Sequence, residues 1–306
     1  MTDLQSPVPI PSARRLARGR RRRAAAETWS RLRRDRIAVA GLVVLIAFTL
    51  MAVLAPLIAD RAALQAVNAI DNPTWASPSG EFLLGTDNLG RSVATQFVWG
   101  ARISLFVGLM ATLLTIVIGA TIGIVAGFFG RWVDAVLMRL TDWFLVIPFL
   151  PTAIVLAAVL GRSVWNIILV IGITSWPSTA RLVRSQVLSV KQRLYVDRAR
   201  ALGARRAHVI RHHIVPNVAP LILATTTLAV PISILTETTL AFLGLGDPTQ
   251  ASWGKTLEEA YRQGAITRSA WWYYLPAGLG IVAVVLAFTM LGRALEEILD
   301  PRLRGR

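Results

Sequence analysis

The chain has 306 residues, of which 54% are hydrophobic and only 16% charged, and its mean hydropathy is +0.55. A soluble domain carries about a quarter charged residues, so much of this surface is built to face lipid. There are 33 Lys and Arg against 17 Asp and Glu, a net charge of +16, and no cysteine, which excludes disulfides, thiol nucleophiles and thiolate metal sites.

Residues 1–36 hold 11 Arg, including Arg20–Arg23, in a Pro- and Arg-rich segment that reads as a basic cytoplasmic leader. The charge-free run that follows, Ile37–Ala59, is 23 residues long. The apolar region of a signal peptide has about 7–15, so this run is an uncleaved first span. A loop over residues 60–100 leads to further runs without a charged residue or His: Ile103–Gly130, Trp143–Gly161, Ser163–Ala180, Ile214–Thr236 and Ser269–Gly292. A helix rises about 1.5 Å per residue, so about 20 residues cross a hydrocarbon core of about 30 Å. Barrel strands need only about 9–11 alternating residues. The chain therefore reads as an all-α polytopic membrane protein with six transmembrane helices.

Basic residues set the orientation. The leader, the segment Arg181–Asn217 with 9 Lys and Arg, and Arg293, Arg302, Arg304 and Arg306 share one side. Arg61, Arg91, Arg162, Lys255, Arg262 and Arg268 are spread over the other. Both termini are thus expected on the cytoplasmic side of a multi-pass protein of the plasma (inner) membrane. Trp271, Trp272, Tyr273 and Tyr274 form an aromatic belt at the outer start of the last span. The net charge is accounted for by membrane topology, without nucleic acid, and Arg20–Arg23 suits anionic lipid.

Within this frame few residues carry chemistry. Asp142 follows Arg139 by three and reads as an i,i+3 ion pair, with a place on a transport pathway as the second reading. Glu237 stands near the outer end of the fifth span, as a pathway group or as an anchor bonded to nearby backbone or hydroxyls. Pro148, Pro151, Pro177 and Pro231 interrupt spans, and such breaks free carbonyls that can line a path. His208, His212 and His213 lack a third ligand of suitable type, so no metal site is assigned, nor any catalytic residue.

The segment Lys191–Asn217 is the informative one. Val196, Ala199, Ala201 and Leu202 alternate with Arg198, Arg200, Arg205 and Arg206, and Gly203 interrupts them. This pattern is an amphipathic helix, a glycine pivot and a second helix outside the membrane, suited to docking in a partner's groove. Asp197-Arg198-Ala199, Gly203 six residues after Asp197, and Val215-Pro216 resemble the Glu-Ala-Ala loop of ABC importer permeases. Leu84-Gly85-Thr86-Asp87-Asn88-Leu89-Gly90-Arg91-Ser92 resembles an outer-loop signature of the dipeptide, oligopeptide and nickel branch, with Ser92 in place of the usual Asp. Gly100–Leu105, Leu235–Gly246, Ser252-Trp253-Gly254 and Asp300–Arg304 match as well. The resemblance covers about residues 35–304 and is closest to the C-type (OppC/DppC-like) subunit.

The resemblance implies a type I ABC importer permease fold, with residues 101–304 as the core and 185–217 as the coupling loop. It implies a permease that is not an enzyme, forming a pathway for di- or oligopeptides with a B-type permease. Two cytoplasmic ATPases would bind ATP and Mg, and an extracytoplasmic binding protein would deliver substrate. The chain itself shows no GxxxxGK[ST] phosphate loop and no cofactor is assigned to it. The alternative is an ion-coupled secondary transporter or a membrane-embedded enzyme, which needs ionisable groups within the spans.

Overall fold

The computed structural model describes residue 30 and residues 32–299. The arginine-rich leader before residue 30 and the tail from Asp300 to Arg304 lie outside the described residues. The first long helix, α1 (Arg36–Ile58), starts where the Asp35 carboxylate accepts from the backbone N–H of Ile37 (2.9 Å) and Ala38 (3.3 Å). Most of its large side chains, such as Val43, Leu50, Val53 and Leu57, are exposed, as lipid-facing positions are.

Two short 3-10 turns, Arg61–Leu64 and Ala66–Ala69, lead to α2 (Val93–Phe129), capped by Ser92, whose hydroxyl accepts from Thr95 N–H. The expected loop over 60–100 is thus shorter: α2 takes its last part. Next come α3 (Arg131–Val146), α4 (Phe149–Leu160) and α5 (Val164–Lys191). Beyond the spans lie α6 (Leu194–Ala201) and α7 (Arg206–Val209), which runs through a π-turn at Ile210–Ile214 into α8 (Val215–Leu240). A second wide turn, Ala241–Leu245, precedes α9 (Trp253–Arg262) and α10 (Trp271–Leu299). Among the described residues five helical stretches are long and apolar enough to cross a membrane, and there are six if the bent pair α3–α4 is one broken span.

That bent pair corrects the expected third span over 143–161. The chain turns by 89° between α3 and α4. The cause is Pro148, which has no N–H to continue a helix and disfavours helical geometry in the residue before it. Ile147 is accordingly extended (φ −73°, ψ 127°).

The bundle is held along α2. Gly119, Gly123 and Gly127 recur every four residues on the face that meets α5. A Cβ at Gly123 would stand 2.6 Å from the Ala180 carbonyl oxygen, and one at Gly119 2.8 Å from that of Trp176. In lipid no hydrophobic force drives helices together, so close backbone approach through small residues supplies dispersion contact instead. A second core lies toward the outer side, where buried Trp253 stacks on Phe97 (5.7 Å between centroids) and meets the edge of Phe48 (5.6 Å).

Candidate coupling element and translocation cleft

The candidate coupling element lies between the end of α5 and the start of α8. Val196 on α6 is fully buried with Val187 and Val190 of α5, Val209 of α7 and Phe128 of α2. One side of α6 is thereby fixed to the bundle. Its other side is bare: Leu194 is 75% and Leu202 88% exposed. Asp197 lies in the first turn of α6, where a negative charge suits the helix dipole, and faces Arg200 at 3.7 Å. Arg198 and Ala199 lie in the same helix, and Pro216 is at the start of α8. Gly203 closes the helix with φ +81°, a left-handed conformation that costs other residues about 1–2 kcal/mol. Its backbone N–H donates to the Arg200 carbonyl (2.9 Å), and that of Ala204 to Ala199 (3.0 Å). The helix–glycine–helix shape read from Lys191–Asn217 is therefore present, and α7 continues directly into α8.

A cleft of about 310 Å³ opens at the break between α3 and α4. Pro148 and Pro177 both line it, beside Phe144, Thr115 of α2, Ser178 of α5 and Ser233 of α8. Its polar lining consists of hydroxyls, with no charged side chain. Asp142 and Glu237 are not part of it. Asp142 does not pair with Arg139; it accepts from Arg181 of α5 at 2.5 Å. The reason is register: Asp134 and Asp142 lie eight apart on the face of α3 that meets α5, and Asp134 there takes a two-pronged contact from Arg184 (2.5 and 2.6 Å). Glu237 is 98% buried inside the bundle, and its carboxylate accepts from the Ser104 hydroxyl of α2 at 3.1 Å. The same hydroxyl accepts from the Trp253 N–H at the start of α9 (3.2 Å). Glu237 thus ties three elements together at a junction near the end of α8, bonded to a hydroxyl as the anchor reading expects.

The outer-loop signature folds into one buried cluster. Asp87, fully buried, accepts from the backbone N–H of Leu89 and Arg91 (2.8 Å each), from Arg91 Nε (2.6 Å) and from Gln96 Nε2 (2.7 Å). Arg91 also donates to Glu259 of α9 at 2.6 Å. Burial disfavours the guanidinium charge, but Glu259 and Asp87 outweigh it and hold Arg91 above its ordinary range. The Thr86 hydroxyl donates to the Pro73 carbonyl (2.6 Å), and the indole N–H of Trp272 donates to the Thr86 carbonyl (3.2 Å). A Cβ at Gly85 would fall 2.4 Å from the Ala76 carbonyl, and one at Gly90 2.6 Å from that of Ala69.

Three features escaped the reading of the sequence. Glu259 is separated from Arg91 by 168 positions, and no local pattern joins them. The hydroxyl lining comes from several helices at once. The glycine row on α2 had a visible signal in its four-residue spacing, which marks close helix packing in membranes. Among the described residues no group of three His, Cys, Asp or Glu is arranged to hold a metal. The rings of His208 and His212 simply stack at 4.2 Å.

Comparison with known proteins agrees with this architecture. Residues 119–305 match the family described as binding-protein-dependent transport system inner membrane component, and residues 24–72 match the N-terminal TM domain of oligopeptide transport permease C. The chain is 37% identical over 282 residues to the dipeptide transport system permease protein DppC of Alkalihalophilus pseudofirmus, covering 91% of this chain and 90% of that one. It is 38% identical to the oligopeptide transport system permease protein OppC of Bacillus subtilis, covering 90% and 88%. A putative peptide transport system permease protein of Brucella abortus is 38% identical over 90% of this chain and 92% of its own. A buried carboxylate on α8 would have suited the ion-coupled alternative, but two family matches and relatives spanning nine-tenths of the chain set that alternative aside. The fold is that of type I ABC importer permeases, and the chain belongs to the family of binding-protein-dependent transport inner membrane components: a multi-span permease subunit of an ATP-binding-cassette importer, whose ATP hydrolysis falls to a separate subunit.

Proposed function

We propose that this permease carries di- or oligopeptides, paired with a B-type permease, two cytoplasmic ATPases and an extracytoplasmic binding protein. The names of its relatives support the substrate class. So does the cleft at the α3–α4 break, where hydroxyls of Ser178, Ser233 and Thr115 can serve peptide N–H and C=O groups without selecting a side-chain charge. Pro148 and Pro177 shape that passage, whereas Asp142 and Glu237 hold its walls. A second permease completes the path. ATP and Mg belong to the ATPases, and this chain needs no cofactor of its own.

One observation carries the coupling role: α6 exposes Leu194 and Leu202 beyond the spans while Val196 pins its opposite side to them. An apolar edge on a basic, membrane-external helix suits a groove on another protein. Asp197, Arg198, Ala199, Gly203 and Pro216 form the lever. Closure of the ATPases would push α6, and the unbroken path through α7 would turn α8, opening the cleft to the other side. The basic residues of this element support a cytoplasmic position for it and for both termini.

The test is retention and uptake. Chains carrying Asp197→Lys are expected to reach the membrane at normal levels yet lose the co-purifying ATPase and ATP-driven uptake of labelled peptides. Full retention and uptake by that variant would defeat the coupling role. Uptake of nickel but no peptide would defeat the substrate assignment alone.

A further inference from the structure

On the basic side of the bundle, a cleft of about 640 Å³ lies between the ends of α2 and α5, the start of α3, and the α6–α7 unit. Arg131, Lys191, Arg200 and Arg206 line it, and no carboxylate does. The two nearest acids are already engaged. Asp134 is held by Arg184 at 2.5 and 2.6 Å, and Asp197 faces Arg200 at 3.7 Å. Arg131, Lys191 and Arg206 have no carboxylate partner among the described residues. Lys191 Nζ donates to the Phe128 carbonyl (2.6 Å), and the Lys191 and Arg200 cations both approach the Phe128 ring, at 5.9 and 5.6 Å. Cations gathered at one concavity that no carboxylate lines are prepared for an anion.

The shape next to the cleft indicates which anion. Trp132 lines it and is 74% exposed. From Trp132 an exposed apolar row continues along α3 through Val136, Leu140 and Trp143, at spacings of four, four and three, so on one helix face. From Trp132 to Trp143 the helix rises about 16 Å, close to the acyl depth of one leaflet, half of about 30 Å. A soluble phosphate has no use for that row, and an acidic protein surface would not need it. We propose that this cleft binds the phosphate head of an anionic phospholipid from the leaflet at the basic face, with the lipid's chains lying along the α3 row. Because Arg200 and Arg206 belong to the α6–α7 unit, the bound head would brace that unit against the start of α3.

The experiment uses the complete chain, co-expressed with its transport partners and placed in phosphatidylcholine nanodiscs containing a small fraction of photoactivatable phosphatidylglycerol. Labelling is expected on α3 beside Trp132. Each cation at a membrane surface is worth about fivefold in affinity, so R131Q/R206Q should reduce labelling roughly 25-fold. R131K/R206K should keep it, which separates lost charge from lost fold. Photoactivatable phosphatidylcholine labelling the same peptide equally would overturn the proposal. So would abolition of labelling by inorganic phosphate at matched ionic strength, which would identify a soluble anion. Labelling only after the ATPases are stripped away would show a protein-covered surface and also overturn it, as would equal loss in the lysine variant.

Discussion

Arg91 reaches across the outer face to Glu259 at 2.6 Å while its Nε is held by buried Asp87 at 2.6 Å. One guanidinium thus joins the loop before α2 to the helix before α10. Because Asp87 is fully enclosed, the three charges work as a set, and removing one leaves another buried without its partner.

Glu259→Gln keeps an acceptor for Arg91 and removes a charge, so it should cost about 1 kcal/mol. Arg91→Ala strands Asp87 and should cost about 3 kcal/mol or more. Thermal unfolding in detergent measures both. Arg91 is held above its ordinary range. A raised basic pKa gives stability that is present below the unfolded value and lost only as pH rises through the folded one. That window lies far into alkali, so the penalty of Arg91→Ala is expected to be constant around neutral pH.

Gly203 has open space where a Cβ would project, with no atom within 4 Å, but its φ is +81°. Its replacement is therefore resisted by backbone strain alone. Gly203→Ala should cost about 1–2 kcal/mol locally and Gly203→Asn less. ATP-driven uptake should fall in the same order while the melting of the spans barely moves. A steric explanation would instead predict that Ala and Asn rank by size.

Gly123 is the opposite case. A Cβ there would meet the Ala180 carbonyl at 2.6 Å and Val183 Cβ at 2.9 Å. Neither atom belongs to a flexible tip, so α2 and α5 must separate. Gly123→Ala should destabilise by about 1–3 kcal/mol, and Gly123→Leu by more. The melting temperature of the purified chain is the readout.

The two ion pairs between α3 and α5 differ in surroundings. Asp134 and Arg184 are partly buried and doubly bonded, whereas Arg181 and Asp142 are each about half exposed. Asp142→Asn should change stability by about 0–1 kcal/mol. Asp134→Asn should cost about 1.5–3 kcal/mol, the range for hydrogen bonds to charged groups. Equal losses in unfolding assays would contradict the assigned geometry.

Glu237→Leu removes the acceptor that joins Ser104 of α2 to α8, although Ser104 keeps the Trp253 N–H. Interhelical hydrogen bonds in membranes are worth about 0.5–2 kcal/mol, so the loss should fall in that range, with Glu237→Gln milder. Limited proteolysis of the segment between α8 and α9 should report the loosened junction.

The sequence by itself determined the solvent, the number of spans, the side on which basic residues gather, and the helix–glycine–helix between the fourth and fifth. Each is a local matter. A run of about 20 uncharged residues can satisfy its backbone in lipid only as a helix, and Gly203 punctuates a polar segment whatever surrounds it. The tertiary structure alone decided which charges meet. Asp142 met Arg181 rather than Arg139 because α3 packs on α5 with the face that carries both Asp134 and Asp142. Packing also decided that Glu237 is enclosed at a three-way junction, that Arg91 spans 168 positions to Glu259, and that Pro148 breaks its span by 89°. Side-chain pairing between helices depends on their rotation and depth, and no single run of sequence carries that information.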